Sequence, residues 1–451
     1  MKKYYLLCCM LITMLAACCS KQTTNAEKNS ILLDNTVANE NVDYNKYFTG
    51  NTMRFDFKHA GNNTEETYHY DCMKIEGEWA GSKKSLINPF GYGEQLFRII
   101  DKEENKVIYQ NNYCTLFNEW QTTAEAEKTS RSYPESLIFP CPKKDFIIEI
   151  YARNKSSKVF EKKYSYTASI NDYNIQPFSK KYDTQDIHIG GDIEHSLDIV
   201  LLPDGFTDEE KEKFINACTA WQEALFSYAP FDKNKHRINI RAVWAPSKDS
   251  GISMPGRNIW KETLLDCRFY TFGSERYQMT SEFQKVRDVA ASAPYESIFI
   301  LTNSDKYGGG GIYNYYGLGS AGQTGKTGEV YVHEFGHSLM GLGDEYVEKG
   351  NTVSALYPAG KEPWEANLTT LTNFESKWEK MIKPDTPRPT MVSDSLLTLP
   401  DSEWPIGLYE GGGYLEKGIF RPWPKCMMNQ LYDFCPVCQA AIEKYLDYIC
   451  K

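Results

Sequence analysis

Five consecutive residues, His333-Glu334-Phe335-Gly336-His337, have the types and spacing needed for metal-assisted hydrolysis. In a helix, positions i and i+4 lie on one face, so His333 and His337 can present two imidazole nitrogens to one zinc ion. Glu334 projects beside them. A zinc-bound water has a pKa of roughly 7, which lets a carboxylate take its proton at neutral pH. The pattern therefore predicts one catalytic zinc ion, with Glu334 as the general base.

A third metal ligand is expected just after this helix. Gly341 and Gly343 can adopt the left-handed conformations that end a helix and reverse the chain. Asp344 and Glu345 follow, and either carboxylate could return to the metal. Asp344 is preferred because of its place after the glycine, with Glu345 as the competing third ligand, since a Gly-x-Gly turn can absorb one residue of slack either way. The carboxylate that does not bind the metal is expected to orient a histidine or to cap a backbone group.

The segment His333–Tyr346, HEFGHSLMGLGDEY, resembles the signature of the IgA-peptidase family of secreted metallopeptidases, which are metzincin-like zincins. Two further segments are similar to that family. They are CMM at 426–428 followed by FCPVC at 434–438, and LLPDGFT at 201–207, where a strand meets the helix that opens the family's catalytic domain. The resemblance implies a zinc-dependent endopeptidase that acts on an extracellular or host protein.

The chain departs from the metzincin pattern HExxHxxGxxH/D at the third ligand. Asp344 lies eleven residues after His333, where the metzincin ligand lies ten residues after the first, so this turn holds one extra residue. The resemblance also implies a methionine turn beneath the metal. Met428 is the candidate, with Met427 as second choice, although both methionines could simply fill gaps in the core.

Three cysteines near this methionine turn leave three interpretations open. Cys435 and Cys438 form a CxxC pair, and Cys426 lies upstream. They could form a structural disulfide, remain buried thiols, or hold a second zinc ion. The second zinc site lacks a fourth ligand, unless a histidine or Cys450 supplies it.

The N-terminal residues predict a lipoprotein. Two lysines precede an apolar run, Tyr4 to Ala17, which is too short to span a bilayer but suits a signal-peptide core. The run leads into LAAC, which resembles a lipobox with Cys18 as the lipidated residue. Residues 1–18 are therefore predicted to be the lipoprotein signal peptide and residues 19–45 a flexible tether. The expected location is the cell envelope, whether outer-membrane, periplasmic or surface-exposed, with lipid as the only membrane attachment.

Acidic residues outnumber basic ones by 60 to 50, which gives a formal net charge of −10. No basic cluster interrupts this balance, which argues against nucleic-acid binding and against charge-driven adhesion to anionic membranes. The expected partner is a protein or peptide substrate. The alternative is a non-catalytic, zinc-stabilised cell-surface protein that binds a glycan or protein ligand. The presence of Glu334 counts against it, because a purely structural metal site needs no base.

The predicted fold class is α+β, with an N-terminal antiparallel β-sandwich at 46–172 followed by a metzincin-like α/β catalytic domain at 176–451. Alternating apolar residues at 53, 55 and 57 predict a half-buried strand. Polar turns at 101–105 and 153–158 predict two hairpins. The sandwich could bind substrate, or it could be a spacer that holds the catalytic domain off the membrane. The spacer is favoured because no residues typical of a functional site are visible in the sandwich. This layout behind a lipoprotein signal also resembles Bacteroides-type members of the family.

The second domain shows the alternation of strands and helices that is typical of α/β layering. The expected elements are strands at 196–202, 238–245 and 297–302, and helices at 207–226, 281–293 and 373–382. A capping box, Thr207 to Glu210, starts the first helix. Gly308 to Gly311 are expected to form a mobile run. The tyrosines that follow, at 313, 315 and 316, are interpreted as a rim over the cleft or as part of an ordinary loop.

Overall fold

The computed structural model describes residues 30–31, 41–322, 325–348, 357–393, 396, 398–400 and 403–451. The predicted signal peptide with Cys18 and most of the predicted tether lie outside these residues. Within the described ranges, no helix is long and apolar enough to cross a membrane.

Two antiparallel sheets build the N-terminal part of the protein. One has five strands in the order β1-β8-β7-β4-β5, and the other has three in the order β3-β2-β6. The strands are β1 (Ser30–Ile31), β2 (Phe48–Gly61), β3 (Glu66–Glu78), β4 (Gln95–Asp101), β5 (Lys106–Tyr113), β6 (Arg131–Pro142), β7 (Phe146–Arg153) and β8 (Phe160–Ala168), with the short helices α1 (Tyr44–Tyr47) and α2 (Leu116–Trp120). Both predicted hairpins are present, as the antiparallel pairs β4–β5 and β7–β8.

The two sheets share one hydrophobic core. Phe55 and Phe57 of β2 pack in it with Phe97 of β4 and Ile148 of β7. The other face of β2 differs from the prediction of a half-buried strand, because Arg54 and its neighbours there are buried as well. That face is covered by the second part of the molecule.

The second part is built on a six-stranded sheet in the order β13-β14-β12-β10-β11-β9. The inner strands β10, β11, β12 and β14 run parallel to one another, and the edge strands β9 and β13 are antiparallel to their neighbours. Their bounds are β9 (Asp183–Ile189), β10 (Leu197–Asp204), β11 (Ile238–Trp244), β12 (Ser297–Thr302), β13 (Gly309–Ile312) and β14 (Tyr316–Ser320). The remaining elements are α3 (Lys211–Leu225), α4 (Phe283–Ala290), α5 (Thr327–Met340), β15 (Tyr409–Gly412), β16 (Leu415–Arg421), α6 (Met427–Gln430) and α7 (Pro436–Ile449).

The central strand β10 is buried along its whole length because both faces of the sheet are covered. Ile199 and Leu201 point into one core, and Val200 and Leu202 into another. On the first face, Trp221 of α3 packs edge-on against Phe335 of α5, with ring centroids 5.2 Å apart. This packing holds the helix that carries the HExxH residues against the sheet.

The predicted capping box is present at the start of α3. The backbone N–H of Thr207 donates to a carboxylate oxygen of Glu210 at 3.0 Å. The first turn, Asp208–Glu210, is a 3-10 helix that leads into the α-helix.

The predicted helix at 373–382 is wrong. Only two 3-10 turns form there, Phe374–Ser376 and Glu379–Met381, separated by a non-helical Lys377. The ammonium group of Lys377 donates to the carbonyl oxygens of Pro363 and Glu365, each at 2.6 Å. These contacts with another segment hold the chain in a conformation that interrupts the helix.

A buried ion network joins the two parts of the molecule. Arg54 donates to both carboxylate oxygens of Asp56 at 2.7 Å, to Asp288 of α4 at 2.8 Å and to the carbonyl oxygen of Gln284 of α4 at 2.9 Å. A buried guanidinium needs such partners, because leaving it unpaired costs several kcal/mol. The N-terminal sheets are therefore attached to the second part through α4.

Candidate metal centre and catalytic site

Helix α5 places His333 and His337 side by side. Their Nε2 atoms are 3.1 Å apart, as expected for i and i+4 positions on one helix face. The helix ends at Gly341, which has the left-handed φ of 60° and donates its N–H to the carbonyl oxygen of His337 at 2.8 Å. The expected glycine turn therefore reverses the chain directly beside the two histidines.

Asp344 is the carboxylate that this turn brings to the histidines. Its Oδ1 lies 3.2 Å from His333 Nε2 and 3.3 Å from His337 Nε2. Glu345 points elsewhere, with its Oε1 2.9 Å from the amide nitrogen of Asn367 and 3.4 Å from the sulfur of Cys438. Of the two carboxylates considered from the sequence, Asp344 is therefore the one that lies beside the histidines.

Backbone carbonyls orient both imidazoles. His333 Nδ1 lies 2.9 Å from the carbonyl oxygen of Met427, and His337 Nδ1 lies 2.6 Å from that of Leu342. We assign the N–H of each ring to Nδ1 on this basis, which leaves the Nε2 lone pairs facing Asp344. No described residue donates a hydrogen bond to the buried Oδ1 of Asp344. When both rings are neutral, three acceptor atoms therefore converge here, an arrangement that either a proton on an imidazole or a bound cation stabilises.

The electrostatics of the three groups favour a cation in the same place. Burial lowers the pKa of His337, but the Asp344 carboxylate outweighs this effect and raises that pKa to about 9. Burial favours the neutral form of Asp344, yet the two histidines hold the pKa of its carboxyl well below the usual range. A negative site of this kind attracts either protons or a metal ion.

Tyr414 was not singled out by the sequence analysis. It lies in the turn between β15 and β16, and its hydroxyl donates a hydrogen bond to Oδ2 of Asp344. This bond occupies the carboxylate oxygen that faces away from the histidines. Tyr414 could not be predicted from its spacing to the HExxH motif, because only the tertiary fold brings its hairpin next to Asp344.

Glu334 lies beside the histidines and faces the Gly-rich strand β13. One potential ligand atom from each of His333, Glu334 and His337 lies within 4.8 Å of the others. Burial raises the pKa of Glu334, and the two histidines oppose this shift. The carboxyl is therefore poised to accept a proton and release it again.

The glycine run after residue 307, for which a mobile run was expected, forms the edge strand β13 and pairs with β14. A Cβ atom on Gly311 would lie 2.3 Å from the carbonyl oxygen of Glu334, and one on Gly309 would lie 2.9 Å from Glu334 Cγ. Only glycine lets β13 approach α5 this closely.

The expectation of a tyrosine rim after this run is corrected by the structure. Tyr313, Tyr315 and Tyr316 are only 1–3% exposed, so they form no exposed aromatic border. Tyr315 and Tyr316 belong to the core, and Tyr313 is buried at the wall of the cleft. Tyr315 stacks on Phe283 of α4, with ring centroids 3.8 Å apart. Hydrophobic packing against α4 therefore outweighs the exposure that the loop-like sequence suggested.

The candidate methionine turn lies beneath α5. Met428 is fully buried, and a Cβ atom on Gly336, between the two histidines, would lie 2.9 Å from its sulfur. Met427 contributes its carbonyl oxygen to His333, and Met428 accepts the N–H of Glu345 at 2.7 Å. Both methionines therefore contact the segments that carry the proposed ligands.

A cleft of about 1300 Å³ opens over the histidines, and both parts of the protein line it. Glu119 of α2 receives a hydrogen bond from the hydroxyl of Tyr277 across the cleft. Burial raises the pKa of Glu119 to about 7, although the bond from Tyr277 lowers it. Arg153 and Lys155 of the N-terminal part also line the cleft. None of these residues was expected from the sequence, because neither a short helix nor a hairpin turn carries a local sign that it faces another part of the chain.

Two family models match the chain. Residues 186–404, which include His333, Glu334, His337 and Asp344, match the model described as IgA Peptidase M64. Residues 43–165 match the model described as Peptidase M64 N-terminus, and the two matches together cover well over half of the chain. No curated protein matches the chain. The resemblance inferred from the sequence motifs is confirmed by these matches.

Proposed function

Because the chain belongs to the IgA peptidase M64 family of metallopeptidases, we propose that it is a zinc-dependent endopeptidase of metzincin-like fold, anchored to the cell envelope through lipid on Cys18. Its substrate would be an extracellular or host protein. The observation that carries the proposal is the convergence of His333 Nε2, His337 Nε2 and Asp344 Oδ1 next to Glu334, beneath an open cleft.

His333, His337 and Asp344 would hold the zinc ion. Two imidazole nitrogens and one carboxylate oxygen are a donor set that suits zinc, and three protein ligands are typical of catalytic sites, whose fourth position stays open. A bound zinc ion would polarise the scissile carbonyl group and lower the pKa of a water molecule.

Glu334 would act as the general base and then as the general acid. It would take the proton of the attacking water and pass it to the leaving amine. The carbonyl oxygens of Met427 and Leu342 would keep each histidine in the tautomer that leaves Nε2 available. Tyr414 would hold Asp344 so that Oδ1 stays on the side of the histidines.

Replacing the base tests the mechanism. Glu334→Gln should reduce cleavage of a diverse peptide library by about 10²–10⁴-fold, because the water loses its proton acceptor. The zinc content and the unfolding midpoint should stay close to those of wild type. Glu329→Gln, in the first turn of the same helix, is the matched control and should retain activity.

The outcomes separate the proposed function from its alternative. Near-full activity of Glu334→Gln would contradict the assigned role of this residue. Bound zinc in the wild type without any cleavage would favour the alternative, a non-catalytic, zinc-stabilised protein that binds a glycan or protein ligand.

The lipid anchor is supported by the sequence alone, in which an apolar run leads into LAAC and ends at Cys18. The wild-type protein should separate with the membrane fraction and require detergent for extraction. Cys18→Ser should abolish this behaviour, because the lipidated thiol is lost. Equal recovery of both proteins in the salt-soluble fraction would contradict the anchor.

A further inference from the structure

Three cysteines and one glutamate meet behind the methionine turn. Cys426, Cys435, Cys438 and Glu345 each have at most 2% of their surface exposed, and one potential ligand atom from each lies within 4.8 Å of all the others. None of these four residues is among the described residues that line the cleft. We propose that they bind a second metal ion, preferentially zinc, at a closed structural site separate from the catalytic one.

The distances match tetrahedral zinc and not a disulfide. With Zn–S bonds of about 2.3 Å and a Zn–O bond of about 2.0 Å, a tetrahedron places two sulfurs about 3.8 Å apart and a sulfur and an oxygen about 3.5 Å apart. The sulfurs of Cys426 and Cys438 are 3.8 Å apart, and the sulfur of Cys438 lies 3.4 Å from Glu345 Oε1. A disulfide needs about 2.05 Å, and all three cysteines are unpaired in the structure.

The buried carboxylate of Glu345 independently favours a cation at this place. Its Oε1 accepts from Asn367, but its Oε2 has no hydrogen-bond partner among the described residues. The guanidinium of Arg421 donates instead to the carbonyl oxygens of Glu410 and Gly411. The charge of Arg421 acts on Glu345 only at a distance. Burying a carboxylate without a direct ion pair is unfavourable, and coordination to a metal would offset that cost.

The backbone around the cysteines suits thiolates. Cys435 is the N-cap residue of α7, and its sulfur accepts the N–H of Cys438 at 3.5 Å. The sulfur of Cys426 accepts the N–H of Cys435 at 3.4 Å. The N-terminal end of this 14-residue helix adds a positive potential that favours deprotonated sulfur.

Three cysteines alone would leave a zinc site one ligand short, and the fold brings a fourth donor to them. The fourth donor is Glu345, and Cys450 is not involved, because its sulfur lies near the carbonyl oxygen of Arg237 instead. Four protein ligands leave no open position, so the site is structural. A metal there would tie together α7, the start of the methionine turn and the residue that directly follows Asp344.

The test is a count of metal ions in the purified full-length protein and in variants of each site. Wild type should contain about two zinc ions per chain, and the double variant His333→Ala/His337→Ala about one. X-ray absorption of the remaining zinc should then show mainly sulfur neighbours at about 2.3 Å. Cobalt bound to the same double variant should show thiolate-to-metal charge-transfer absorption.

The complementary variant removes the proposed structural site. Cys435→Ser/Cys438→Ser should lose one zinc ion and the sulfur signal, whereas the control Cys218→Ser, at a buried cysteine of α3, should keep both ions. If the double cysteine variant does not fold, the sulfur coordination measured in the histidine variant still tests the proposed site. A wild type with no sulfur-coordinated zinc, or with a disulfide among the three cysteines, would overturn the proposal. A failure of the peptidase proposal would instead show as lost cleavage with the sulfur-bound ion still present.

Discussion

At the scale of single residues, a proton and the proposed metal compete for His337 Nε2. In the metal-free protein, the Asp344 carboxylate outweighs burial and raises the pKa of His337 to about 9. Zinc binds only the neutral imidazole. Below that pKa the metal must displace a proton, so the apparent zinc affinity should fall as the pH falls, by about tenfold per pH unit for one proton. Above it, the dependence on His337 should level off.

This dependence can be measured by competition with a chelator of known affinity between about pH 6.5 and about pH 8.5. Cys435→Ser/Cys438→Ser is the protein to use, so that only the histidine site is counted. The same cysteine variant carrying His333→Ala/His337→Ala in addition, which lacks both sites, gives the background. An affinity that does not change over this range would contradict the raised pKa of His337.

The residue types and spacing of His333, Glu334 and His337 predicted most of the site, because a helix brings i and i+4 together wherever it lies in a fold. The remaining site residues were not predictable in the same way. Tyr414 reaches Asp344 across 70 positions of the chain. Glu345 was considered as a ligand of the first metal, but its side chain lies with the three cysteines.

At the scale of elements, the close contact between β13 and α5 limits what residue 311 can be. Gly311→Ala would place its Cβ 2.3 Å from the carbonyl oxygen of Glu334, an atom of the rigid helix backbone. Relieving this overlap should separate the strand from the helix and cost about 1–3 kcal/mol of unfolding free energy. Urea denaturation would measure the loss.

A suitable control for this substitution is Gly77→Ala in β3. The atoms nearest to a Cβ there belong to the ring of Phe178, at 3.5 Å or more, which is an ordinary van der Waals contact. Gly77→Ala should therefore leave stability nearly unchanged. If both variants unfolded at the same urea concentration as wild type, the close packing of β13 on α5 would not matter for stability.

Most elements were predictable because their signals are local. The hairpins β4–β5 and β7–β8, the capping box at Thr207 and strand β12 all depend on residues within about one turn or one strand length. The helix predicted at 373–382 failed for the opposite reason, since Lys377 is held by carbonyls of another segment. Intrinsic helix propensity determines local structure only weakly when tertiary contacts compete with it.

At the scale of the whole molecule, Arg54 attaches the N-terminal sheets to the second part of the protein. Arg54→Met would remove the buried guanidinium from Asp56, Glu76 and Asp288. Lys74 would remain as the ion-pair partner of Asp56 and Asp288, and Glu76 would lose its own. Losing one partner of a buried ion network costs about 3–5 kcal/mol, so the unfolding midpoint in urea should fall markedly.

Lys58→Met is the control for this substitution, because Lys58 lies on the same strand but its side chain is 43% exposed. Its change in stability should stay within about 1 kcal/mol. Equal midpoints for Arg54→Met and Lys58→Met would show that the network does not hold the two parts together.

The sequence by itself determined that two histidines and a glutamate share one helix, which turn follows them and to which family the chain belongs, because helix period and turn chemistry act over a few residues. Only the tertiary structure decided which carboxylate lies beside the histidines and which one completes the group of three cysteines. It also decided that the polar face of β2 and the tyrosines after β13 are buried, and that both parts of the protein line one cleft. These features depend on contacts between segments far apart in the chain, which local patterns do not encode.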